Sequence, residues 1–534
     1  MKHRLLYIPI LLLFLLSFTD CAKKGTPSGG PRDTIPPVIL RSNPENYNTL
    51  FTGDEIEIRF DEYIKLKDIG KELIISPPMK YAPIITPLST SKTLKIKLVD
   101  TLKPNTTYVF NFGNSIVDNN EGNVLEYFKY VFSTGDYIDS LKLSGRVRDA
   151  ELVTAEFPTT VMLYEMNEAY TDSLVYSEKP MYITVTKDST GIFEFTNLKE
   201  GEYKLLAVKE KNNTYTFQPK DDKIGFITST VSIPSDSTYS LTLFKETPEY
   251  KLARPNYIGK DHIVFGYEGE VDSLNIRLLS EAPKDFESIS YKDQIKDSIH
   301  YWFKPSIETD TLLFEVAKGN RIDTAKVRLR ELYRDSLTLS LLSSGTVKLK
   351  DTLKVGAKTP LVLANSEKVE VMALDSTFVD AEIRLNRKFN QAEVYFPKAE
   401  NGNYRVILMP GALTDFYGKE NDSMRFNVRT RSNSDYGSML LNVENINRFP
   451  VIVQLVNENY KVIAEDYLTT NRPVNFDEIM PNKYYLRIIY DDNKNGKWDT
   501  GNYLKRIEPE KVIYYPSMID VRANWSLNEI FKLK

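Results

Sequence analysis

The chain has 534 residues, 69 Lys and Arg against 73 Asp and Glu, and a formal net charge of −4, with 41% hydrophobic and 27% charged residues. That balance excludes a disordered polymer and offers no basic footprint for nucleic acid, and the length calls for several domains. One cysteine and three histidines exclude a disulfide framework, and they leave little for a Ser-His-Asp or Cys-His nucleophile or a histidine-rich metal centre. The 33 Tyr and 26 Phe, set in short alternating runs, predict an all-β chain.

Lys2, His3 and Arg4 open the sequence, followed by an uncharged apolar run over 5–18, LLYIPILLLFLLSF. The run is short for a permanent span and has the length of a signal-peptide core. Cys21 follows. A thiol at that place can be diacylated to become the first mature residue, and each buried CH₂ contributes about 0.8 kcal/mol to membrane attachment. The segment resembles a bacterial lipoprotein signal, residues 1–20, with Cys21 as the palmitate-bearing residue. Phe18, Thr19 and Asp20 depart from the usual Leu and small residues before the cysteine. The resemblance implies a Bacteroidota-type protein lipid-anchored at the outer membrane. In that type, acids just after the cysteine often direct surface display; Lys23 and Lys24 stand here, so the periplasmic and cell-surface faces both stay open. Residues 21–37, rich in Gly, Pro, Ser and Thr, predict a flexible tether that reaches about 50 Å when extended. No later apolar stretch approaches transmembrane length.

Residues 38–136 predict a β-sandwich. Ile56, Ile58 and Phe60 alternate with Glu55, Glu57 and Arg59 and should face the core. Phe60-Asp61-Glu62, the run Leu102 to Tyr108 (LKPNTTY), Ile116-Val117-Asp118, Gly122-Asn123 and Phe132-Ser133-Thr134 resemble the bacterial Ig-like domain of S-layer proteins. Residues 139–247 carry GIFEF at 191–195, Leu198 and GEYKL at 201–205, which resemble a transthyretin-like or carboxypeptidase-regulatory-like sandwich. That resemblance implies a structural spacer. Residues 249–340 predict a β-sandwich of unassigned type.

Both modules recur. In 341–432, Tyr404 matches Tyr108, Leu413-Thr414-Asp415 matches Ile116-Val117-Asp118, and 426–430 matches the closing strand. In 437–534, Tyr484 matches Tyr203 and Asn493 matches Asn212. The order reads as five sandwiches arranged as beads on a string, a repeat too long for a solenoid.

Asp491, Asn493, Asn495 and Asp499 fall at positions 1, 3, 5 and 9 of a frame with Gly496 at position 6, the alternation by which a calcium loop wraps a hard cation. Asn502 stands at position 12 in place of a bidentate glutamate, so binding would be weak. Strand-like flanks exclude an EF-hand helix pair. A plain Asn/Asp/Gly hairpin turn is the competing reading. The first copy, 210–214, has lost the pattern and should bind nothing. Asp61-Glu62, Asp118, Asp221-Asp222 and Asp491-Asp492 are carboxylates for glycosidase chemistry on paper, but turns and strand ends usually hold exposed acids and not a catalytic cleft. His262 and His300 sit in strand-like contexts that favour packing or surface roles. Trp302, Trp498 and Trp525 could stack on sugar rings, with core packing the alternative for most rings. The sequence therefore predicts a non-enzymatic envelope scaffold with no cofactor beyond structural calcium. Its partners would be the membrane, through the lipid, and an outer-membrane barrel complex for secretion, assembly or uptake. A surface glycan-binding lipoprotein is the alternative.

Overall fold

The computed structural model describes residues 32–343 and 345–533. Residues 1–31 of the expected signal and tether, with Cys21, lie outside them. Among the described residues the fold is almost wholly β; the helices are one four-residue α-helix, Ile69–Glu72, and three short 3₁₀ turns. None is long and apolar enough to cross a membrane. The chain divides into two compact units, one comprising residues up to 142 with 180–184 and 195–201, the other holding the rest.

In the first unit one sheet runs Ile39–Asn43, Glu55–Leu66, Ser91–Lys97, Ile84–Thr86, with Ile116–Asp118 also on Glu55–Leu66. The other runs Ile74–Ser76, Thr107–Asn111, Lys129–Ser133. Strand alternation sends every second side chain inward, and Ile56, Ile58 and Phe60 are all fully buried, as their spacing predicts. The final residues of the expected tether are not free. Asn123 Nδ2 donates to the carbonyls of Asp33 (3.1 Å) and Ile35 (3.2 Å), and Val38 N–H to Asp61 Oδ1 (2.8 Å). An extended, Pro-rich segment leaves its carbonyls open to such bonds, so residues 33–38 belong to the folded unit.

Among the described residues the second unit contains four sandwiches, the third of which adds a two-stranded sheet of Leu361–Ala364 with Leu413–Asp415. In 143–245 the strands Thr160–Glu165, Gly201–Lys209 and Lys223–Phe226 form one sheet, and Thr238–Leu243 runs parallel to Leu141–Asp149 in the other. In 437–534 the layout repeats: Val451–Val456, Asn482–Tyr490 and Val512–Tyr514, with Ser526–Lys532 parallel to Gly437–Glu444. Tyr203 and Tyr484, matched by sequence, are both buried.

The Ig-like stretches repeat individual hydrogen bonds. Tyr108 Oη accepts from Lys103 N–H at 2.9 Å, and Tyr404 Oη accepts from Ala399 N–H at 2.6 Å. Thr134 Oγ1 donates to Lys103 carbonyl, and Thr430 Oγ1 to Ala399 carbonyl. Asn105 and Asn401 occupy the same left-handed turn position, with φ of 48° and 52°, a conformation Asn tolerates better than most residues. A phenol tied to the backbone just upstream fixes the strand entrance in sandwiches of this class.

The bead-on-a-string expectation fails inside the second unit. Stretches 143–245 and 437–534 are clasped together although two hundred residues separate them in sequence. Arg506 pairs with Asp172 through two bonds of 2.8 and 3.2 Å, and Tyr503 Oη meets Tyr170 Oη at 3.3 Å. Buried Glu246 accepts the Tyr503 N–H at 2.6 Å. At the other end buried Arg487 and Tyr514 Oη reach the Glu151 carbonyl. Gly501 packs against the Phe244 ring and the Ile507 carbonyl, where a Cβ would come within 2.8 and 2.6 Å of them. Hydrophobic patterning along the chain cannot reveal this contact, because polar side chains make its hydrogen bonds and the Phe226 and Phe244 rings that join them read as ordinary core.

Candidate functional site

The 491–499 loop leaves the end of Asn482–Tyr490. Asp491 is 1% exposed, and its carboxylate accepts the N–H groups of Asn495 (3.1 Å) and Gly496 (2.9 Å). Gly496 has φ of +77°, which a glycine adopts without strain. Asn493 and Asn495 both donate to Asp499 Oδ2 at 2.6 Å. Glu510, absent from the sequence frame, closes the loop: its carboxylate accepts the N–H groups of Asp492 (2.8 Å) and Asp499 (3.0 Å). Burial first, and the Asp499 charge among smaller causes, raise the Glu510 carboxyl above its ordinary range. The first copy uses the same device. Glu210, matched to Asp491, accepts the N–H groups of Thr214 and Tyr215, the counterparts of Asn495 and Gly496, both at 2.7 Å. An acid folding the turn is therefore common to both copies, buried in the last and half-buried in the first. Asp222 of the first copy accepts the N–H groups of Lys211 and Gln218, the counterparts of Asp492 and Asp499, as Glu510 does in the last, and Asn212 stands where Asn493 does; Asn495 and Asp499 are replaced by Thr214 and Gln218. Among the described residues no group of three or more His, Cys, Asp or Glu is arranged to hold a metal ion.

The carboxylates considered for hydrolysis are not a cleft of exposed acids. Asp118, Asp222 and Asp491 are buried because each caps a turn. Asp118 accepts four N–H bonds, from Asn120, Glu121, Gly122 and Asn123, at 2.6 to 3.2 Å. Asp222 accepts from Lys211 and Gln218. Asp415, the match of Asp118, accepts from Tyr417, Lys419 and the Thr359 hydroxyl. Trp302 is fully buried, Trp498 is half-buried with its N–H on the Glu510 carbonyl, and Trp525 is exposed beneath Arg522. Trp498 and Tyr176 stand on the wall of an open cleft of about 1280 Å³, which the ion pairs Lys220–Glu268 and Lys497–Glu270 border.

His262 and His300, each read from the sequence as a packing or surface residue, meet. His262 on His262–Glu268 and His300 on the adjacent Ser298–Lys304 approach to 2.8 Å between Nε2 and Nδ1, and His300 Nε2 lies 3.1 Å from Asp293 Oδ2. The His262 ring stacks on Trp302 at 3.6 Å. In the antiparallel register His262 faces Trp302 and Val264 faces His300, so the histidines are diagonal neighbours on one face. Equal strand phase was the one sequence signal for this, and it becomes usable only once the pairing is known.

Residues 33–134 match the bacterial Ig-like domain. This Ig-like match covers the first sandwich and the docked end of the tether. No curated protein matches the chain. Among solved structures, domains 1–6 of the surface layer protein SbsC align at 12% identity over 91% of this chain and 67% of that one, TM-score 0.16. BcpA, the major pilin subunit of Bacillus cereus, aligns at 9% over 73% and 98%, TM-score 0.13. The Bacteroides ovatus glucan-utilization protein SGBP-B, solved with a mixed-linkage heptasaccharide, aligns at 10% over 71% and 94%, TM-score 0.18. At these TM-scores the likenesses carry no argument about arrangement or ligand.

Proposed function

We propose that this chain is a non-enzymatic envelope protein, held at the outer membrane by lipid on Cys21, whose tandem sandwiches scaffold a protein assembly as an accessory subunit of a barrel complex. The clasp between 143–245 and 437–534 supports this reading most directly. It buries Arg487, Glu246 and Tyr503 with their hydrogen bonds made, and so turns a string of small domains into a fixed frame. Of the acids a hydrolase would need, Asp118, Asp222 and Asp491 are engaged in turns, and Asp221 and Asp492 in exposed ion pairs. Ser526–Lys532 offers a place to dock: among the described residues it pairs with Gly437–Glu444 alone, and Trp525 and Ile530 beside its free edge are 52% and 59% exposed. An open edge with apolar side chains is the surface to which an extended segment of another protein adds. Cross-linking in intact cells followed by mass spectrometry tests the reading. One stoichiometric barrel partner is expected, and recovery of the chain with no envelope protein attached overturns it.

The open cleft favours glycan binding as a second reading, with Trp498 and Tyr176 as stacking faces. Retention on a polysaccharide column that Trp498→Ala abolishes would support it.

A further inference from the structure

We infer that the seam between the sandwiches of 251–328 and 339–430 is a proton-operated latch: His262, sealed into the seam as a neutral ring, loosens it on protonation. Polar bonds cross the seam, beside the Trp302–Tyr417 edge contact and the Lys304–Phe416 stacking. Lys292 N–H donates to the Lys388 carbonyl (3.0 Å), Lys304 Nζ to the Phe416 carbonyl (3.0 Å), and Tyr417 Oη to the Phe303 carbonyl (3.2 Å). The connecting segment adds Asp335, whose Oδ1 pairs with Lys358 of the following sandwich at 2.6 Å.

His262 is 4% exposed; it stands beside Asp335 of the connecting segment and stacks on Trp302, whose ring Tyr417 of the next sandwich meets edge-on. Its Nε2 shares one proton with His300 Nδ1. Its Nδ1 is buried without a hydrogen-bond partner, and Asp335 Oδ2 stands 3.9 Å away. The facing groups are His300 and, behind it, Asp293 and Tyr291 from the neighbouring strands, Asp335 from the connecting segment, and Lys358 from the next sandwich. Asp261, next in sequence, is committed to Arg334 and Ser306. While His262 is neutral, Asp335 serves Lys358 alone. A proton on Nδ1 places a second cation beside that single carboxylate, competes with Lys358 for it, and repels both Lys358 and any positive charge on His300. Stacking on Trp302 offsets only part of this, since the attraction of a cation to an aromatic face is modest.

The same groups hold the imidazole down to about 3 from its ordinary 6.5, by burial first and then by His300 and Lys358. A folded-state value below the unfolded one gives a closed seam that is fully favoured above pH 6.5 and progressively lost as pH falls toward 3. If His262 recovers its ordinary value when the seam opens, the opening equilibrium rises about 100-fold between pH 7.5 and 4.5.

Amide exchange of the full chain, corrected for its chemical dependence on pH, reads this at the Lys292 N–H, which crosses the seam. Wild type should show the roughly 100-fold rise. His262→Phe keeps a flat ring on Trp302 but takes no proton, and should hold the change within about threefold. Lys358→Gln, at a position more than half exposed, guards against a misfolded Phe variant. It should open the seam more at pH 7.5 yet respond less to acid, because Asp335 is then free for His262. An acid response of equal size in wild type and both variants, or none in wild type, overturns the latch.

Discussion

Asp118 carries the clearest quantitative consequence of the Ig-like fold. Its buried carboxylate holds four loop N–H groups, and that loop in turn holds the 33–35 segment through Asn123. Each hydrogen bond to a charged partner contributes about 1.5–3 kcal/mol. In Asp118→Ala the partly exposed amides of 119–123 turn to water and recover much of this, so the expected net loss is about 3 kcal/mol. For a sandwich of this size that lowers the melting temperature by about 12–24 °C. Because the chain has two units, the first-unit transition is to be followed by amide exchange of its own peptides. Burial alone would raise the Asp118 carboxyl, but the four backbone bonds outweigh it and hold it below its ordinary 3.8. The contribution is therefore present above 3.8 and lost as pH falls through the lowered folded value, so wild type and variant should converge in strong acid. A loss below about 1 kcal/mol at neutral pH, or unchanged protection of 119–123, would refute the reasoning.

Cys21→Ser should move the protein from the membrane fraction to the soluble one and abolish palmitate labelling; firm membrane association of the variant contradicts lipid anchoring. Limited proteolysis should cut before Arg32 ahead of any site within 38–136, and Asp118→Ala should add cuts at 32–37. Calcium at millimolar concentration should raise the melting temperature of the full chain through the 437–534 body, by an amount equivalent to about 2.7 kcal/mol at a hundredfold excess over Kd. Asp499→Ala and Glu510→Gln should lose that shift, and indifference to both calcium and chelator leaves the loop as a plain turn. Arg506→Ala should raise amide exchange across 170–176 through loss of the Asp172 pair, whereas independent beads would show no effect there.

Alternation at Ile56, Ile58 and Phe60 was legible because a strand with one buried face writes its burial into every second residue. The repeats were legible for a related reason: Tyr108 and Tyr404, or Asp118 and Asp415, accept backbone N–H groups within a few residues, so those partners travel with them in sequence. Glu510 was not legible in the calcium frame, since it arrives from a later segment. Asp172 with Arg506, and His262 with His300, were equally hidden. Such pairs depend on how strands and sandwiches are brought together, and a single sequence carries no record of that. Buried acids were misjudged for a simpler reason: composition marks Asp as exposed, while a turn that aims several amides at one carboxylate makes burial favourable.

The clasp also gives the chain a mechanical character. A pull applied between residue 143 and the C-terminus meets Arg506–Asp172 and the Tyr503 and Glu151 contacts before it stretches anything in 249–430. Those middle sandwiches are hidden length, unloaded until the clasp ruptures. A force–extension record should then show an early event that lets out two folded bodies without unfolding either, and a protein built this way can lengthen under load and shorten again without refolding a core.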